Sequence, residues 1–462
     1  MEGLSPFLMP VPTPNPYRQI LSRRFPEPFI ALLAFLLGVW LWDHYFGVKE
    51  GYEPGTDQIA LVKMDRDVRL AEAMSGDPHW LRALVGVGSP EKARRRGIDA
   101  LWLLANEKSL GSEGLGALVV AESEQDHKPV LETLRQTGAA LQGVEFPESY
   151  ETVIGRMLAG EGRWWDRSLA RAYIAERPIS GEMAVALKMF DDGSATLRKR
   201  AIIGRCAVWL VVVAGTFCIP LTLRRLAALR HWKDRGYISG WSASLGMVVF
   251  LAATLAWIGF SLSMRAGFTA VQDVPEWLVL ALDTAMRLLP ALIAIGLLFR
   301  RPGHAIRVFG LNRAPSWGIV LGAFALVGWI NELVLPPLKH YSPPDPTGGL
   351  GFGEDGMWGL TVALVSACLM APIAEEIVYR GVLFRSLGNR FGILAGALLS
   401  AGAFALVHFY DLYGLASVGA FGFTCALVYA ATRNLPTAIV LHLLYNAAVK
   451  VPEWLVYHSS LH

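Results

Sequence analysis

Charge is what this 462-residue sequence has least of for its length. Only 18% of its residues are Asp, Glu, Lys or Arg, against about 25% in ordinary soluble domains. The charges nearly cancel, to a net +3, and no basic run is interleaved with aromatic residues, which excludes an extended nucleic-acid surface. Cysteine is scarce as well. Cys206, Cys218, Cys368 and Cys425 all fall in apolar stretches, so there is neither a disulfide framework nor a CxxC metal knuckle. HExxH does not occur, and neither a nucleotide-binding loop nor a haem motif is present. Strand-like period-two alternation is scarce in the polar segment 49–199, which argues against a sheet there.

Long hydrophobic runs, by contrast, are abundant: 53% of the residues are hydrophobic and the mean hydropathy is +0.39. A helix that crosses a bilayer needs roughly 20 mostly apolar residues. Runs of that kind lie near 29–46, 202–222, 241–263, 277–299, 316–336, 357–384, 391–409, 413–432 and 435–457. The first follows a proline-rich lead holding Arg18, Arg23 and Arg24 and has no small-x-small cleavage site after it. It reads as a retained anchor rather than a signal peptide. The expected fold is an all-α polytopic transmembrane bundle of about eight or nine helices with a helical soluble insert.

Basic residues collect in cytoplasmic loops. Arg224, Arg225, Arg230, Lys233 and Arg235 follow the second run, Arg300, Arg301, Arg307 and Arg313 the fourth, Arg385 and Arg390 the sixth, and Arg433 the eighth. The alternate loops are poorer in basic residues, with Arg265, Asp273 and Glu276, then Lys339, Asp345, Glu354 and Asp355, then Asp411. The alternation puts the N-terminus inside and the insert outside, although Arg198, Lys199 and Arg200 run against it. Within the insert, 57–74, 90–107, 128–141 and 148–159 show apolar residues three and four apart between Gly, Pro and Ser breakers, hence helices. His79 and His127 stand there without a clustered carboxylate, so the insert reads as a binding or regulatory module without chemistry.

Ionisable side chains at membrane depth are costly and need a partner, water or a function. Ala371-Pro-Ile-Ala-Glu-Glu-Ile-Val-Tyr-Arg-Gly381 carries three of them. Glu376 and Arg380, four apart, fall within reach of a salt bridge. Glu375 points about 100° away and is left without a cation, as a reactive carboxylate would be. His408 comes late in an apolar run, and His442 and Asn446 share one face of the last. Alone, these last two could be interhelical hydrogen-bonding groups. Asp283 and Arg287 are expected to neutralise each other, and Asn331 and Glu332 to reach the surface. Depths counted along the helices permit Glu375, His408, His442 and Asn446 to meet without requiring it.

The ordered string Glu375-Glu376-x-x-x-Arg380, Phe404-x-x-x-His408, His442-x-x-x-Asn446 resembles the three motifs of the CPBP family of intramembrane proteases. That family includes type II CAAX prenyl endopeptidases and bacterial proteins linked to bacteriocin processing and self-immunity. Pro372 and Gly381 add to the likeness, which covers about 310–450. With it the chain divides into an N-terminal segment and first transmembrane helix (1–48), a soluble helical insert expected to be extracytoplasmic (49–199), accessory transmembrane helices (200–309) and a CPBP-like core (310–462).

The resemblance implies endopeptidase hydrolysis of a membrane-embedded or lipid-anchored peptide in a cavity reached from the cytoplasmic side. Glu375 and His408 would activate water, and His442 and Asn446 would hold the oxyanion, with Glu376 and Arg380 supporting the site. The chemistry of the residues agrees: a desolvated glutamate has a tunable pKa, and a histidine and an asparagine four apart aim two donors at one point. Glu375, His408 and His442 could instead hold zinc with one open position; the metal-free mechanism is the preferred one. A non-catalytic immunity or scaffold protein of the same family is the alternative, and a transporter lacks an obvious inverted repeat. The residue usage points to a bacterial inner membrane, where prenylated CaaX substrates are not expected. The implied partners are a peptide or protein substrate in or at the membrane, the bilayer, and a protein bound by the insert.

Overall fold

The computed structural model describes residues 28–46, 52, 55–140, 149–176, 180–229, 240–270, 275–341, 345–351 and 356–461. Arg18, Arg23, Arg24, Arg230, Lys233, Arg235, Asp273, Glu354 and Asp355 lie outside them, as do the side chains of Arg265 and Glu276. The described residues form helices and turns and no strand. An all-α polytopic bundle is therefore correct. Among the described residues, six helices are long and apolar enough to cross a membrane, or seven if Gly181–Thr216 and Ile219–Ala227, bent by 54°, count as one span. Two expected spans are shorter: the apolar cores Ile30–Leu41 and Ile393–Leu406 fall short of crossing length.

Two compact units are built from discontinuous stretches of chain. The membrane unit comprises Met1–Gly47, Val211–Ser342 and Leu364–Ala447. Its helices include Ala243–Ala270, Glu276–Leu298, Trp317–Trp329, Ile393–Leu406, Leu412–Thr432 and most of Leu435–Glu453. Phe217, Leu255, Leu292, Leu394 and Leu398 point outward uncovered, as side chains facing hydrocarbon do. Small residues let backbones touch: a Cβ on Gly322 would lie 2.6 Å from the Cys218 carbonyl oxygen. Arg385, counted above as a loop charge, is buried, because its guanidinium donates to the Val308 carbonyl (2.7 Å) and to the Tyr429 hydroxyl (3.3 Å). Asp283 does pair with Arg287 (3.0 Å) and also accepts from the Ser366 hydroxyl. Asn331, by contrast, does not merely reach the surface. Its Oδ1 accepts from Ser417 (3.0 Å), which also bonds Tyr445 (2.9 Å).

The second unit comprises Val48–Leu210, Pro343–Ala363 and Ala448–His462. Helices Thr56–Ala73, Pro90–Asn106, Ser112–Gln125, Val130–Ala140, Tyr150–Leu158 and Trp164–Glu176 surround a core of Leu61, Met64, Leu101, Leu118, Met157 and Trp164, while His79–Val85 packs Leu81 and Val85 against a second cluster of Leu70, Met74 and Leu197. Ser89 and Ser149 cap two of them, each accepting from the amide three residues on. Arg69, 4% exposed, donates to Ser194 Oγ (3.1 Å) and to the Phe190 carbonyl (3.0 Å) while stacking on the Phe190 ring. Burial holds its pKa below the usual guanidinium range. The end of the chain packs here too: Tyr457 donates to Asp67 (2.7 Å), and Arg200 donates to Ser459 (2.8 Å). Arg198 clasps Asp77 through two nitrogens (2.7 and 2.5 Å). Two of the three basic residues that ran against the charge alternation are thus engaged within this unit.

Candidate active site

The helix through the acidic motif is not uniform. It takes a wider, five-residue register over Ala363–Met370, a short α segment over Ala371–Glu375, and the wide register again over Glu376–Phe384. Such π segments are uncommon and concentrate at functional sites. Pro372 is the local cause of the first break, since it has no amide hydrogen to continue the ladder.

Glu376 and Arg380 are both fully buried and bonded at 2.8 Å. Arg380 also donates to the Gly422 carbonyl (3.1 Å) and lies 4.4 Å above the Phe404 ring. Position 422 admits no larger residue without displacement, because a Cβ there would stand 3.0 Å from both Arg380 Nη2 and Phe404 Cδ1. Glu376 Oε1 is shared with His442, whose Nδ1 lies 2.9 Å away. The same imidazole turns Nε2 toward Glu375, at 3.7 Å from Oε2. Glu375 therefore does not stand apart, as the sequence had implied. One histidine, 3% exposed, is bracketed by the two adjacent glutamates.

His408 is not within a span. Its helix ends at Leu406, and His408 sits in the following turn, where Phe409 takes a left-handed φ of 52° and Asp411 caps the next helix. Its Nδ1 donates to the Phe404 carbonyl (2.7 Å). A carbonyl only accepts, so in the neutral ring Nε2 is left as an acceptor. The His408 and His442 rings both pack edge-on against Phe404, at centroid distances of 4.7 and 5.7 Å. Phe404 is thus the post around which Arg380, His408 and His442 are arranged. Phe421 adds an edge contact to His442 (4.9 Å) and stacks on Tyr445 (4.2 Å).

Asn446, one turn beyond His442, donates from Nδ2 to the Ala367 carbonyl at 2.7 Å. Sequence reasoning gave no hint of this bond, nor of Gly422 and Phe421; the only sequence signal for Gly422 was the run of small residues Gly414, Gly419 and Gly422 on one helix.

Zinc would need Glu375, His408 and His442 to offer lone pairs to one point. Among the described residues, no three His, Cys, Asp or Glu side chains are grouped to hold a metal ion. Nδ1 of His442 is engaged with Glu376 and Nδ1 of His408 with a carbonyl, which leaves the Nε2 atoms as the only ring nitrogens open to a metal. Glu375, His408 and His442 are therefore not gathered at one point as a three-ligand zinc set would be.

Residues 357–448 match the family model of the type II CAAX prenyl endopeptidase Rce1-like proteins. A 99-residue stretch is 31% identical to the Bacillus subtilis (strain 168) protein named "Putative membrane peptidase YdiL". It covers 21% of this chain and 40% of that protein, so the match spans two fifths of the relative's length. No solved structure matches. Glu375, Glu376, Arg380, His408, His442 and Asn446 all lie within the stretch that is similar to the Rce1-like type II CAAX prenyl endopeptidase family, in a multi-pass integral membrane protein.

Proposed function

We propose that this chain is an intramembrane endopeptidase that hydrolyses a membrane-embedded or lipid-anchored peptide without a metal. The observation that carries the reading is the His442 ring held between Glu376 and Glu375 inside apolar helices. Glu375, the more exposed of the two at 28%, is the one open to a substrate and a water. It takes a proton from that water as the water oxygen bonds to the peptide carbonyl carbon, and the acceptor Nε2 of His408 shares in orienting the water. The oxyanion receives the free Nδ2–H of Asn446. His442 becomes a donor at Nε2 once that nitrogen has taken a proton across the 3.7 Å gap from Glu375. Collapse of the intermediate breaks the C–N bond, and the proton held by the glutamate–histidine pair goes to the leaving amine. Glu376, fixed by Arg380, sets the plane of the imidazole.

The bacterial relative supports placement in a bacterial inner membrane, and the charge alternation supports a cytoplasmic approach to the site with the 49–199 insert outside, where it binds a protein partner. Full-length protein in lipid nanodiscs, incubated with a library of single-span peptides and read by mass spectrometry, tests the activity. Cleavage is expected and should disappear in His442→Ala. Equal products from both proteins would overturn the reading and favour a scaffold.

Chelation tests the chemistry. Purified protein is expected to carry well under one zinc per chain and to keep most of its activity after dialysis against a strong chelator. One zinc per chain, lost and regained together with activity, would make Glu375, His408 and His442 ligands, with zinc-bound water as nucleophile.

A further inference from the structure

Asn446 has an unusual partner for a residue in a helical bundle, a main-chain carbonyl in the middle of another helix. Helix carbonyls are normally satisfied by their own ladder. In the five-residue register kept over Ala363–Met370, the carbonyl of Ala367 looks to the amide of residue 372. That residue is proline, which has no amide hydrogen. The Ala367 oxygen is therefore vacant for a local reason, in a medium where a vacant carbonyl costs most. Asn446 fills it at 2.7 Å.

The bond also fixes the orientation of the amide. Only the nitrogen of a carboxamide can donate to a carbonyl, so Nδ2 rather than Oδ1 lies on this side. One Nδ2–H is used, and the second is held in a set direction by the first. The segment carrying Ala367 is itself fastened from another helix, since buried Ser366 donates to Asp283, which also takes Arg287 at 3.0 Å.

We infer that Pro372 is a positioning residue: by leaving the Ala367 carbonyl without a helix partner, it makes that carbonyl the anchor that aims Asn446 at the reacting carbonyl oxygen. The inference rests on the peptidase reading for its consequence in catalysis, but not for the bond itself.

The experiment compares three forms of residue 372 in the full-length protein: proline, alanine (Pro372→Ala), and (S)-lactic acid introduced by nonsense suppression. Lactic acid has the methyl side chain of alanine but an ester oxygen in place of the backbone N–H. Each is combined with Asn446 and with Asn446→Ala. Pro372→Ala returns an N–H that competes for the Ala367 oxygen, so its melting temperature should equal or exceed that of the parent. Asn446→Ala should lower melting by about 2 °C in the proline and lactate backgrounds, where it strands the carbonyl, and by much less in the alanine background. Losing an oxyanion donor outright costs about 10²–10³ in rate. Misaiming it should cost less, about tenfold in kcat with KM unchanged for Pro372→Ala, and the lactate form should recover the parent rate.

Equal melting penalties for Asn446→Ala in all three backgrounds would overturn the inference, as would a lactate form as slow as alanine, or an unchanged kcat in Pro372→Ala. If Pro372→Ala does not fold, the lactate form decides: an unaltered melting penalty and kcat support the inference, and a reduced penalty overturns it. If the chain cleaves no peptide, the peptidase reading falls while the melting cycle still decides what Pro372 does for Asn446.

Discussion

Replacing Glu375 with glutamine is expected to lower peptide cleavage by about 10²–10⁴-fold, the usual contribution of a positioned general base, with little change in melting temperature. The carboxylate is 28% exposed and meets His442 Nε2 only at 3.7 Å, so its loss strands no buried partner. Glutamine keeps the shape and can still accept a hydrogen bond, but it cannot take a proton from water. Glu376, the adjacent carboxylate, cannot substitute, because its Oε1 is already shared between Arg380 and His442 with no surface exposed. Cleavage of the same peptide by matched amounts of folded wild-type and variant protein measures the effect. Full activity in the variant would remove Glu375 as the base and transfer that role to a histidine.

Arg380→Ala is expected to destabilise the membrane unit by roughly 3–5 kcal/mol, the cost of leaving one partner of a buried ion pair alone. Three things go at once: the 2.8 Å bond to Glu376, the bond to the Gly422 carbonyl and the stacking on Phe404. Activity should fall further than stability alone requires, because Glu376 would no longer be fixed to hold His442. Changing the pair together, Glu376→Gln with Arg380→Met, removes both charges and should recover much of the loss, since glutamine still offers an oxygen to His442 Nδ1. Thermal melts of the single and double variants in one lipid mixture form the check. A single variant that melts like the wild type would mean that water reaches the pair.

The apolar runs were enough to announce helices at every expected place, because 1.5 Å per residue and the thickness of hydrocarbon leave little choice. Where those helices end was less legible. His408 falls two residues past the end of its helix because a turn at Phe409 and a cap at Asp411 stop the ladder, and hydropathy does not register a cap. Arg385 looked like a loop charge because nothing local reveals that the Val308 carbonyl and the Tyr429 hydroxyl wait across the bundle.

By itself the sequence determined that this protein is an all-helical membrane protein with an ordered set of acidic, histidine and asparagine motifs, and that Glu376 would pair with Arg380. Periodicity and a spacing of four are local properties of one helix, and no neighbour is needed to read them. Only the tertiary structure decided that His442 stands between Glu375 and Glu376, that Phe404 and Gly422 make room for Arg380, and that Asn446 reaches the carbonyl vacated opposite Pro372. Each of these joins residues tens of positions apart on different helices. Such contacts depend on how the helices are tilted, broken and rotated against one another, and the pattern of residues along a single helix does not carry that information.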